Sequence, residues 1–134
     1  MRWMQIRRVL VIQLIYLAMA ALWNLAGVAL IARGLRAPGP TASLAVAAYL
    51  LALGAVTYVG ARRIRWIYLG GTLLAGVGAA SAIVQAFQLD PSLWPSSFWR
   101  YAGVLLNGFG LFGAVWGCLV GLKAGPSPAR DAAR

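Results

Sequence analysis

Histidine is absent from this chain, acidic residues number two, and cysteine appears once. The acids are Asp90 and Asp131; the cysteine is Cys118. Each gap excludes chemistry. Without histidine, zinc and haem sites lose their commonest ligand, so neither a metal nor another cofactor is expected. General acid–base catalysis needs titrating groups placed together, and two acids some forty positions apart, outside the long apolar runs, do not supply them. A serine or cysteine nucleophile needs an adjacent base, which is missing. The expectation is a protein that is not an enzyme. One cysteine forms no intrachain disulfide; Cys118, inside an apolar run, reads as a buried small residue, with palmitoylation as the alternative.

Charge of either sign is scarce. Only 10% of the 134 residues are charged and 62% are apolar, against about 25% and about 45–50% in soluble domains. A water-soluble fold needs a polar surface that this composition does not provide. The net charge of +10 would in a soluble protein point to nucleic acid. Here the cations sit at the ends of apolar runs, where they reach phosphate headgroups, so no nucleic-acid partner is expected.

What is abundant is uninterrupted apolar sequence. A bilayer core of about 30 Å needs about 20 apolar residues in a helix. Four runs are long enough: 9–32, 42–61, 66–87 and 98–122. Backbone groups in hydrocarbon must be paired within a helix or a closed barrel, and these runs lack the two-residue alternation of barrel strands. The predicted fold is all-α: a polytopic, antiparallel bundle of four transmembrane helices forming one membrane domain over residues 1–124. Residues 125–134, with Pro126 and Pro128, read as a disordered cytoplasmic tail. The first run has the basic start of a signal peptide, and Ala18-Met19-Ala20 resembles a cleavage site. The apolar stretch continues to Ala32, so an uncleaved span is expected.

Basic residues near the span ends set orientation. Arg2, Arg7, Arg8, Arg62, Arg63, Arg65, Lys123, Arg130 and Arg134 fall on one side; Arg33, Arg36 and Arg100 fall on the other. That asymmetry puts both termini in the cytoplasm of a multi-pass protein, and the dominance of arginine over lysine hints at a GC-rich bacterial genome, hence a bacterial inner membrane. Arg7, Arg8, Arg62, Arg63 and Arg65 form a cytoplasmic rim, read first as the orientation signal and second as a contact for anionic lipid headgroups.

The connections carry their own signals. Residues 34–41 form a Pro/Gly turn that makes the first two helices neighbours. In the stretch 89–101, Asp90-Pro91 reads as an N-cap followed by proline at the first helical position, so a short interfacial segment is expected. Asp90 alternatively pairs with Arg100. Ser96 or Ser97 then caps the fourth helix, and Trp94, Phe98, Trp99 and Tyr101 fall at headgroup depth.

Two patterns inside the spans could carry function. Gly113, Gly117 and Gly121 recur every four residues, widened by Ala114 and Cys118; Gly71, Ala75 and Ala79 make a weaker stripe in the third helix. Helix association in lipid depends on close backbone approach, which such glycine-zipper stripes permit. They serve packing within one bundle, or between copies in a homo-oligomer or larger membrane complex. The second pattern is one of depth: Asn24, Ser81 and Asn107 each lie fifteen residues from a cytoplasmic helix end, with Tyr49 about a turn away. Asn24 bonding to Asn107 as structural glue is the first reading. A polar lining for a small transporter, channel or lipid flippase is the second, supported by an Asn-x-x-Gly repeat at Asn24/Gly27 and Asn107/Gly110. Small four-span multidrug carriers rely on a glutamate embedded in the first span; this first span offers Gln13 and Asn24 instead.

Overall fold

The computed structural model describes residues 2–124 and is all-helical. Helix α1 spans Arg2–Ala32, α2 Leu44–Arg63, α3 Arg65–Gln88 and α4 Ser97–Lys123, with a short 3-10 turn at Pro91–Leu93. Each of the four is long and apolar enough to cross a membrane. The expectation for the 125–134 tail lies outside the described residues.

The helix ends follow from local chemistry. α1 starts before Val9 because nothing at Arg7-Arg8 breaks a helix, and arginine is a good helix former. Its length of 31 residues gives about 46 Å, more than a hydrocarbon core requires. It stops at Gly34, the one described residue with positive φ, at 72°. Gly34 N–H donates to the Ile31 carbonyl and Leu35 N–H to the Leu30 carbonyl, both at 2.9 Å. This is the Schellman closure that a glycine at C′ permits. α2 begins two residues later than its apolar run, because the Ser43 side chain caps it by accepting from Val46 N–H. Between α2 and α3 only Ile64 is non-helical, in an extended conformation. The hairpin closes this tightly because Gly60 carries no side chain: a Cβ there would collide with the backbone of Ile67 and Tyr68.

The strongest pairings, α1–α2, α2–α3, α3–α4 and α1–α4, close a ring in which each helix touches two neighbours. Between α1 and α4 the contacts run in opposite residue order: Gln13 meets Gly113 while Tyr16 meets Asn107 further back along α4. Tyr16, Leu17, Ala20, Leu53, Ala75 and Ala79 form the central cluster. Size is distributed inside out relative to a soluble bundle. Glycine and alanine line the buried faces of α3 and α4, whereas Leu22, Leu73, Leu105, Phe112 and Leu122 point outward and are exposed. Apolar surface on that scale suits a hydrocarbon solvent and is rare on soluble monomers.

Candidate functional site: a buried polar knot and an interhelical crevice

Two polar places lie between the helices, one in each half of the bundle. The first surrounds Gln13, which is 3% exposed, with Tyr68 and Thr72 beside it and Thr57 facing Gly71, all buried. Gln13 Nε2 donates to Thr72 Oγ1 at 3.1 Å and to the Gly113 carbonyl at 3.3 Å. Gln13 Oε1, Thr57 Oγ1 and the Tyr68 hydroxyl are buried with no hydrogen-bond partner among the described residues. Small residues make room for this knot. A Cβ at Gly117 would strike Gln13 Nε2 and lie 2.9 Å from the Tyr68 hydroxyl, and one at Gly71 would lie 2.5 Å from Thr57 Oγ1.

The glycine stripe therefore faces inward. Gly113, Gly117 and Gly121 are buried against Gln13, Tyr68, Leu69 and Thr72 of this same chain, and Gly76 on α3 receives Ala114. Gly71, Ala75 and Ala79 are buried as well, on the α3 face turned to α2 and the centre. Cys118 is partly exposed beside the stripe.

The second place is a crevice of about 230 Å³ among all four helices, in the half remote from Gln13. Asn24, Asn107 and Tyr49 line it together with Tyr16 and Arg100. Asn24 and Asn107 do not bond to each other. Asn107 Oδ1 accepts from the Tyr16 hydroxyl at 2.9 Å, and its Nδ2 donates to the Gly103 carbonyl at 2.8 Å. Asn24 Nδ2 donates to the Ala20 carbonyl at 3.0 Å, and its Oδ1 accepts from Ser43 N–H at 3.2 Å. Equal depth sets helical residues level but leaves their azimuth free, and both amides find a nearer acceptor one turn back on their own helix. Ser81 is turned out of the layer, exposed on α3 and accepting only from Gln85 at 3.4 Å.

Arg100 lies in the first turn of α4 and borders the crevice. Its Nε donates to the Ala86 carbonyl at 2.6 Å, and its guanidinium sits 5.4 Å from the Phe87 ring, 5.9 Å from Trp94 and 5.7 Å from Tyr101. It is held by these groups and not by Asp90. The Asp90 carboxylate caps the 3-10 turn, accepting from Ser92 N–H at 2.8 Å, and this bond draws its pKa below the ordinary value. Arg36 donates to the Ser92 carbonyl, tying the two connections at this end together. Ser96 occupies the N-cap position of α4 without a side-chain bond. Trp94, grouped by the sequence with the rings at headgroup depth, is 6% exposed and packs inward. Phe98, Trp99 and Tyr101 are exposed, with Trp23 edge-on to Trp99 at 5.8 Å.

At the opposite end Arg7, Arg8, Arg62 and Arg63 are exposed. Arg65 is not a free rim cation: its Nη2 donates to the Leu122 carbonyl at 2.8 Å and its guanidinium lies 5.2 Å from the Trp66 ring. The last carbonyls of a helix lack intrahelical donors and carry partial negative charge, so the C-terminus of α4 attracts this cation.

No family model, curated protein or solved structure matches this chain.

The Gln13 knot and the part played by Arg100 were missed by sequence reasoning. The knot was within reach: Gln13, Tyr68 and Thr72 lie close to the cytoplasmic ends predicted for their helices, so the depth comparison applied to Asn24 would have grouped them too. The position of Arg100 against Ala86 depends on how the α3–α4 connection folds back, for which the sequence carries no comparable signal.

Proposed function

We propose that this chain is a non-enzymatic component of a bacterial inner membrane, crossing it four times as an antiparallel bundle with both termini and the Arg62-Arg63 hairpin in the cytoplasm. In this reading it acts as a subunit, scaffold or accessory protein, through its helix surfaces and its crevice. The 3-10 turn and the exposed aromatic rings then lie at the outer interface.

One observation carries the choice of an accessory role over a pore. The crevice occupies one half of the bundle only, and it is closed off from the far end by Gln13, Tyr68 and Thr72 packed onto Gly113 and Gly117. A continuous aqueous path would have to break that packing. The inward stripe leaves the bulky outer residues of α1 and α4, among them Leu22, Leu105 and Phe112, as the surface for another subunit. The test is native mass spectrometry of protein extracted from its own membrane in a mild neutral detergent. A second polypeptide, or a second copy, held at fixed stoichiometry is the expected result; a lone chain throughout overturns the accessory reading.

The crevice also favours a second reading, a small transporter or flippase that alternates its opening around Asn24 and Asn107. Cysteines replacing those two residues would then react with aqueous thiol reagents from both sides of the membrane. Reaction from one side only removes the transport reading.

A further inference from the structure

The crevice has a back and two lips. Its residues from α1 and α4, including Tyr16, Asn24, Gly103 and Asn107, are buried or half-buried, and none is exposed. Its exposed helical residues all come from α2 and α3: Val46 and Tyr49 on one side, Leu74, Gly78 and Gln85 on the other. Near Ile64 these two helices touch through Gly60 and Gly71, but no neighbouring helix approaches Gly78, around which a Cβ would meet open space. The crevice therefore opens sideways between α2 and α3, into whatever surrounds the bundle, and also borders the α1–α2 connection, where Pro40 and Thr41 are exposed.

The interior is graded. At one end stands the Arg100 guanidinium, with Nε committed to Ala86 and its Nη atoms recorded in no bond among the described residues. The only acid among the described residues, Asp90, is occupied with Ser92 outside the crevice. Toward the other end the lining becomes apolar, with Leu50, Leu53, Leu74 and Leu106. A cation without a counter-ion above an apolar slot, open to the side, matches one kind of molecule.

We propose that the crevice binds a single amphiphile with an anionic phosphate or carboxylate head, entering sideways between α2 and α3, with Arg100 holding the head and the chain lying toward Leu53 and Leu74. Arginine suits the head because its planar fork pairs with two oxygens at once. Asn24 and Asn107 each have a second amide N–H, with no acceptor recorded among the described residues, for oxygens next to the head. The volume of about 230 Å³ is below the roughly 300–1,000 Å³ of sites that enclose drug-sized ligands. The site thus takes a head and the first part of one chain, and the remainder of the molecule stays in the bilayer. This inference rests on the membrane reading above.

The full chain in neutral detergent, titrated with short-chain phosphatidylglycerol and matched phosphatidylcholine under native mass spectrometry, provides the test. One phosphatidylglycerol per chain is expected, bound about tenfold or more tighter than phosphatidylcholine, as a charged hydrogen-bonded pair implies. Arg100→Gln should remove the preference, while Arg33→Gln, an exposed cation outside the crevice, should keep it. Because Arg100 also bonds Ala86, Ala82→Leu serves as the second variant: it fills the slot, leaves Arg100 in place and should abolish the one-to-one adduct. Equal binding of the two lipids by the wild type overturns the proposal. So does a preference that survives in a folded Ala82→Leu protein, or one that Arg33→Gln removes as fully. Decanoate added in competition separates the sources: displacement identifies a free carboxylate amphiphile as a ligand, and no displacement a phosphate lipid of the bilayer. Release of the protein from vesicles by alkaline carbonate would sink the membrane reading itself, whereas retention without head selectivity sinks only this inference.

Discussion

Gln13 and Gly117 show how much depends on single side chains in a bundle packed by small residues. Gln13 contributes two donor bonds, at 3.1 and 3.3 Å, and leaves its carbonyl oxygen buried without a partner. Interhelical polar bonds in membranes average about 0.6 kcal/mol, and an unsatisfied buried acceptor costs about 1–3 kcal/mol. The unfavourable part matches or exceeds the favourable part. Gln13→Leu, of similar volume, should therefore change stability by less than about 1 kcal/mol, whereas Gln13→Ala opens a cavity and should lose about 2–4 kcal/mol. Thermal unfolding in detergent, followed by tryptophan fluorescence, would measure the difference; equal losses in both variants would show that the bonds and not the volume matter.

Gly117 has the reverse problem. Any side chain there meets Gln13 Nε2, the Tyr68 hydroxyl and Thr72 Cγ2. The Gln13 amide is the tip of a flexible side chain, but it can move aside only by giving up its bonds to Thr72 and the Gly113 carbonyl, and Tyr68 and Thr72 approach from a different helix. Gly117→Ala should cost about 1–3 kcal/mol, the usual range for overpacking, and Gly117→Leu should prevent assembly of α1 and α3 onto α4. Gly108, with nothing within 4 Å of its would-be Cβ, is the control: Gly108→Ala should gain up to about 1 kcal/mol from helix propensity. A Gly117→Ala protein as stable as wild type would contradict the inward placement of the stripe.

The elements are held by their ends as much as by their faces. The connection from α3 to α4 is fixed by Asp90 capping its 3-10 turn, by Arg36 on the Ser92 carbonyl and by Trp94 folded inward. Of these only the cap titrates in acid. The Ser92 N–H bond lowers the folded-state pKa of Asp90 below its usual value. Its contribution is thus fully present above the ordinary aspartate pKa and is lost as pH falls through the lowered folded value. The Ser92 amide resonance should shift with a midpoint below the normal aspartate range, and the shift should vanish in Asp90→Asn. A midpoint at or above that range would mean the cap is not formed in solution. Neutral-pH changes should leave the turn untouched.

For the whole molecule, the arrangement of basic residues makes a claim about sides that cysteine labelling can settle. With Cys118 replaced by serine, a membrane-impermeant thiol reagent should label Ser92→Cys in intact cells, and Arg63→Cys only in permeabilised cells or inside-out vesicles. Labelling of both from the same side would remove the four-crossing topology. The same background tests the two polar places together. Asn107→Cys, in the crevice, should react more readily than Gln13→Cys, which is enclosed by the knot.

The four helices, their approximate ends apart from the start of α1, and the turn at Asp90-Pro91 were legible in the sequence. Length and polarity suffice for the first, and for the last the capping chemistry is local, contained within Asp90 and Ser92. Because helical rise is constant, Asn24, Asn107 and Tyr49 fall at similar levels along the bundle, and all three line one crevice. Azimuth was not legible. Ser81 shares the predicted depth but faces outward, and Asn24 and Asn107 share a crevice without sharing a bond. Which way a helix turns in a bundle is decided by how neighbouring surfaces fit, and in a chain apolar on nearly every face no hydrophobic stripe reveals that choice. Only the packed structure could seat Gly117 on Gln13, bring Arg65 to the end of α4 and place Arg100 beside the crevice, because each depends on contacts between residues far apart in the chain.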